Sequence, residues 1–301
     1  MSRHLKKTGC IVTGLILCVV LLTNAASAQA PRTAANESGT TGRTRPDPLA
    51  TEVSISPELE MLLQTWEKKS SEVNRMKGEF QRIVYDKVFE SAHCANGRYF
   101  YEAPDKGRMD LSPDASVVSN PPRQVTKQNI TYTQQADEPH TWICDGQQIL
   151  DIDISKKQYN RVQIPAHYQG KNITSSPLPF LFGMKSDKMK ERYILEIGGF
   201  HDQAKVIHIV AFPKLQSEQR EYRVAEVLLD PVEFMPRAVQ LTDPTGNKQT
   251  VYMFTRHDKV SIPWLPPGPF NPPLFGLKLI HDEEAPPPLE REGNRDGILI
   301  R

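Results

Sequence analysis

The sequence predicts a mainly β fold with helices (α+β): a long antiparallel sheet, one amphipathic helix at its start and one short apolar helix in its middle. Three observations predict it. Leu59, Leu62, Leu63, Trp66, Val73 and Met76 recur at helical spacing. From Phe80 onward the pattern changes to β-forming runs separated by turn residues. Leu178, Phe180, Leu181, Phe182 and Met184 crowd into one short segment between polar flanks.

The first 28 residues read as a secretory signal. Arg3, Lys6 and Lys7 form a charged start, Ile11 to Leu22 an apolar run too short for a comfortable membrane span, and Ala26-Ser27-Ala28 a cleavage site. The competing reading is an uncleaved anchor. No later run is long enough to span a bilayer. The net charge of +1, less those three cations, is −2 for the mature chain. That balance gives no electrostatic case for nucleic-acid binding. Residues 29–55 are rich in small and polar residues and read as a disordered linker, since they bury too little apolar surface to offset ordering entropy. The domain spans residues 56–280, and the charged, proline-rich stretch 281–301 reads as a disordered tail.

Within the domain, Ser56 is a good N-cap and Pro57 suits the first helical position. After Gly78, Phe80 to Phe89 forms a strand. A second strand runs around Arg98 to Tyr101 and a third from Gly107 to Leu111. Ser112 to Pro139 reads as an insertion with one edge strand near Asn129 to Gln134. Thr141 to Cys144 is a strand, and Asp145-Gly146 signals a hairpin. Leu150, Ile152 and Ile154 alternate with Asp151 and Asp153, which gives one buried and one wet face. Tyr159 to Ile164 continues the meander. Five further strands are expected at 193–197, 205–212, 222–229, 235–241 and 249–255, for about ten in all, above the usual sheet size. Val206 to Phe212 is apolar on both faces apart from His208, so both faces should be covered. Pro263 to Pro273 is either a polyproline ligand or a strap across the sheet.

Cys94 and Cys144 are the cysteines outside the signal, and read either as a disulfide or as two buried thiols. The catalytic content is poor. The chain has no His-Glu-x-x-His, Gly-x-Ser-x-Gly or glycine-rich phosphate loop, and its histidines lack metal-ligand spacing. No enzyme, cofactor or metal is expected.

Val73-Asn-Arg-Met-Lys-Gly-Glu-Phe80, Gly97 to Pro104 with Arg108 beyond, Cys144-Asp145-Gly146, Leu178 to Gly183 and the Asp243 to Asn247 turn occur in the order found in the LolA-like superfamily of periplasmic lipoprotein carriers, which the chain resembles from about Ser56 to Ile280. It also resembles a group of exported planctomycete proteins that carry this domain. The resemblance implies a half-barrel wrapped on the first helix, with Leu178 to Gly183 as a plug helix. It also implies an apolar cavity lined by Leu62, Trp66, Phe80, Phe100, Leu178, Leu181, Phe182, Val206 and Tyr252. The corresponding function is an exported carrier of a lipid, a lipidated protein or another apolar ligand. The alternative is an envelope protein-interaction module with a filled core. Ala103 stands where well-studied carriers have an arginine that latches the lid, so that latch is not carried over.

Overall fold

The computed structural model describes residues 55–120, 122–166, 169, 185–201 and 205–284. Helix α1 (Pro57–Ser71) opens the described chain. The Ser56 hydroxyl accepts the Leu59 N–H at 3.2 Å, Glu58 and Glu60 sit in the first turn, and Lys68 and Lys69 sit in the last. All three features favour a helix at these bounds. Leu59, Leu63 and Trp66 form its buried face.

Among the described residues fourteen strands build one sheet: β1 (Arg75–Asp86), β2 (Ser91–Glu102), β3 (Lys106–Pro113), β4 (Gln124–Lys127), β5 (Ile130–Ala136), β6 (His140–Cys144), β7 (Gln148–Asp153), β8 (Gln158–Gln163), β9 (Tyr193–His201), β10 (Val206–Pro213), β11 (Val224–Leu229), β12 (Pro236–Thr242), β13 (Lys248–Lys259) and β14 (Lys278–Glu284). Their spatial order is β14-β8-β7-β6-β3-β2-β1-β13-β12-β11-β10-β9, with β5 on β2 and β4 on β5. All pairs are antiparallel except β14 with β8 and β2 with β5. Three short helices complete the described part: α2 (Ala115–Val118), α3 (Ser186–Arg192) and α4 (Gln216–Glu221).

The sheet curls around α1. One cluster joins Leu59, Leu63 and Trp66 to Phe80, Tyr99 and Met109 on one side and to Val239, Val227, Ile209 and Leu195 on the other. One helix reaches strands from β3 to β9 only if the sheet bends about it. This is the mainly β half-barrel wrapped on an N-terminal helix.

The opposite face carries a second cluster. Ile143, Leu150 and Ile152 meet Phe270, with Phe100, Trp264 and Leu274 packed against them. The proline-rich stretch is therefore a strap across the outer face. The Arg108 guanidinium ties it down by donating to the Pro269 carbonyl at 2.8 Å while holding Asp110 at 2.8 Å. Strand β10 is covered on both faces: Ile207, Ile209 and Ala211 face α1, and Val210 and Phe212 join Val224 on the outside.

The Ser112 to Pro139 stretch is more ordered than its polarity predicts. It contains α2 and the β4–β5 hairpin. Lys127 fastens that hairpin across the sheet, with its ammonium 2.7 Å from the Gln240 side-chain oxygen and 4.5 Å from the Tyr85 ring centre. Burial lowers its pKa to about 8. Strand β14 runs past Ile280 to Glu284 and pairs with β8.

Candidate apolar ligand site

Four of the expected lining residues come together on the helix side of the sheet. Trp66 projects from α1 into the core at 1% exposure, and Leu62, one turn earlier, packs at its margin half-buried. Phe80 on β1 and Tyr252 on β13 meet with ring centres 5.9 Å apart. Phe254 lies 5.9 Å from both Phe80 and Tyr99 and extends the aromatic layer. The buried Trp66 indole nitrogen has no hydrogen-bond acceptor among the described residues.

Phe100 and Val206 do not join this group. Phe100 lies on the outer face against Trp264 of the strap, with ring centres 5.8 Å apart. Val206 shares its face of β10 with His208, Val210 and Phe212, opposite the face toward α1. In each case the neighbour, Tyr99 or Ile207, takes the helix-side position. Leu178, Leu181 and Phe182 lie outside the described residues.

Partly buried apolar residues surround the tight centre. Trp142, Ile149 and Ile164 lie on the β6–β8 wing, and Ile197, Tyr222 and Leu241 on the other. The first wing turns polar. Asp151, cross-strand from Trp142, meets His140 at 2.5 Å, and this bond holds its carboxyl below the usual range. Asp153 is held by Lys156 at 2.6 Å. The wet face expected from the Asp151 and Asp153 alternation is thus the helix side of the sheet, and the buried Leu150 and Ile152 lie beneath the strap. On the other wing, Arg192 of α3 pairs with Glu218 of α4, whose carboxylate also accepts from the Tyr193 hydroxyl at 3.3 Å. Among the described residues no cluster of His, Cys, Asp or Glu has the makings of a metal site.

Of the two readings of the cysteines, the structure has the buried thiols. Cys94 and Cys144 are both free and buried. They sit on β2 and β6 with β3 between them, and only Cys144 belongs to the helix-side core. A disulfide cannot reach across an intervening strand. Burial raises the thiol of Cys94 to about 11 and that of Cys144 to about 12. Native protein lacking residues 1–28 should therefore resist thiol reagents at neutral pH and show both thiols on denaturation, without reductant. Rapid labelling of either cysteine in the native state would contradict the placement.

A second buried pair sets a pH dependence. The Tyr99 hydroxyl bonds to His257 Nδ1, and His257 Nε2 lies 2.8 Å from the Pro236 carbonyl. A carbonyl only accepts, so Nε2 carries the proton and Nδ1 takes the one from Tyr99. Burial lowers the His257 pKa below 6.5, against weaker raising effects from the Pro236 carbonyl, Asp230 and Asp258. A depressed histidine contributes stability above its unfolded pKa and loses it as pH falls through the folded value. The urea midpoint should decline from about pH 6.5 downward, and His257→Phe should flatten that decline. An unchanged slope would exclude His257 as its source.

No family model and no curated protein matches this chain. Solved structures do. A conserved protein from Thermus thermophilus is similar over 74% of this chain and 99% of its own, at 7% identity and a TM-score of 0.39. A putative outer membrane lipoprotein-sorting protein domain from Vibrio parahaemolyticus is similar over 68% of this chain and 93% of its own, at 10% identity and a TM-score of 0.35. A LolA superfamily protein from Nitrosomonas europaea covers 67% of this chain and 94% of its own, at 7% identity and a TM-score of 0.32. In its own order of elements this chain is a helix followed by a curled antiparallel sheet that packs around it.

Proposed function

We propose that this chain is an exported, non-catalytic binding protein that holds a lipid, a lipidated protein or another apolar ligand between α1 and the inner face of the sheet. One observation carries the reading. Around the closed centre of Leu63, Trp66 and Phe80 runs a margin of half-buried apolar side chains, Leu62, Trp142, Ile149, Ile164 and Ile197 among them, on the inner face of an open sheet. Small-ligand sites are typically concave, mostly apolar and furnished with few polar groups. In this reading Leu178, Leu181 and Phe182 close the ligand in, and residues 1–28 direct export. Among the described residues no helix is long and apolar enough to cross a membrane.

A second reading, an envelope protein-interaction module, is favoured by the packing of the centre, where Leu63, Trp66, Met76 and Phe80 are each 1% exposed. A fluorescent fatty acid separates the two. The carrier reading expects saturable binding by the wild type. It expects weaker binding by Leu181→Glu with only modest loss of stability, because a charge placed in the ligand space is too costly to bury unpaired and swings to water. No binding by the wild type, with Leu181→Glu costing several kcal/mol, would favour the filled module.

A further inference from the structure

The helix side of the sheet leaves two buried N–H donors without an acceptor. The Trp66 indole nitrogen and the Arg82 Nε are both buried and bond to nothing among the described residues. Trp66 is 1% exposed. Arg82 follows Phe80 by two residues on β1, so it projects from the same inner face. A buried indole N–H ordinarily finds a partner, and leaving it unpaired costs more than the bond itself contributes. Buried donors of this kind call for a water or a ligand atom.

The carboxylates and the hydroxyl beside Arg82 are already committed. Asp137 takes the Arg82 Nη2 donor at 2.7 Å on one oxygen and the Glu138 N–H at 2.9 Å on the other. The hydroxyl of Tyr252, the cross-strand partner of Arg82, bonds the same guanidinium. Asp86, further along this face of β1, accepts the Val88 and Phe89 N–H groups and faces Lys248 at 3.5 Å. Arg82 and Asp137 balance each other, so what is missing is an acceptor and not a counter-charge. The Trp66 side chain leans toward the start of α1 and covers the preceding turn, where half-buried Leu62 forms the margin of the ligand space.

We infer that Trp66 is the hydrogen-bond donor to the ligand of this space, with Arg82 Nε as a second donor, and that the ligand is an acyl compound whose carbonyl oxygen they receive. The inference rests on the carrier reading and narrows it. A plain hydrocarbon or isoprenoid chain covers the apolar margin and leaves both donors unpaired. A site whose buried polar groups are matched by one ligand discriminates against the analogue that lacks the matching atom. Because the Arg82–Asp137 pair is already neutral, an uncharged ester or amide carbonyl is sufficient.

Methyl octanoate and nonane test it, each titrated into isotopically labelled mature protein and followed through the Trp66 indole resonance. The two are equal in carbon number and differ in the ester group. The expected result is saturable binding of both, with the Trp66 indole proton moved downfield by the ester alone. The ratio of ester to alkane affinity should fall about tenfold in Trp66→Phe. It should fall less in Arg82→Lys, which keeps a cation opposite Asp137 and lacks the Nε donor. The thermal midpoint reports folding of each variant, and the wild-type resonance decides the matter if Trp66→Phe does not fold. Binding of both molecules with an unmoved Trp66 proton, or an unchanged ratio in folded Trp66→Phe, overturns the inference and leaves the carrier reading standing. Binding of neither overturns both.

Discussion

Trp66→Ala should destabilise the domain by about 3–5 kcal/mol, the range for deleting a fully buried tryptophan. Trp66 is the largest side chain that α1 buries, at 1% exposure. It lies in the cluster that joins the two wings of the sheet, so its removal leaves a void bordered by strands that cannot close on it together. Urea unfolding should show a lower midpoint with an unchanged slope. Met61→Ala, at a residue of the same helix that is 62% exposed, should stay within about 0.5 kcal/mol. A Trp66→Ala loss below about 1 kcal/mol would place α1 outside the core.

Gly78→Ala should be the next most damaging change. A Cβ there would stand 2.1 Å from the Arg256 carbonyl oxygen and 2.5 and 2.6 Å from two carbons of the Tyr99 ring. Neither obstacle gives way easily. The carbonyl belongs to the backbone of β13 beside its register shift, and the ring is held by His257 and packed edge-on against Phe254. Overpacking of this kind costs about 1–3 kcal/mol and more where backbone must shift. The variant should also lose the Tyr99 to His257 bond, and with it the acid-dependent decline in stability. Gly276→Ala is the comparison, since a Cβ there meets nothing within 4 Å and only the φ of +80° resists it. Equal stability of Gly78→Ala and the wild type would contradict the packing of Tyr99 beneath β1.

Much of this architecture can be read from the residues, because its signals are local. Ser56-Pro57 and the apolar stripe mark α1, and Asp145-Gly146 marks the β6–β7 turn. The alternation of Leu150 and Ile152 with Asp151 and Asp153 separates two faces correctly. What alternation cannot supply is which face meets the helix. Moving the choice by one residue turns a strand inside out. Tyr99 and Phe100 are both large and aromatic, and Val206 and Ile207 are both β-branched, so nothing local says which member of each pair points inward. Phe100 and Val206 are for that reason expected on the helix side of the sheet and lie on the other.

The β4–β5 hairpin is hidden by its polar composition, because Lys127 is held by Gln240 and Tyr85 rather than by an apolar stripe of its own. The free cysteines are a matter of strand order, which two positions in a sequence do not specify.

The central claim, that an apolar ligand occupies the space around α1, is tested most directly by native mass spectrometry of the protein purified from its own cell envelope. The account predicts a population heavier than the mature chain by the mass of a lipid or lipidated species. That population should be released by organic solvent and depleted in Leu181→Glu. Mature chain of unmodified mass throughout, or a stoichiometric protein partner with no lipid, would contradict it and favour the filled interaction module.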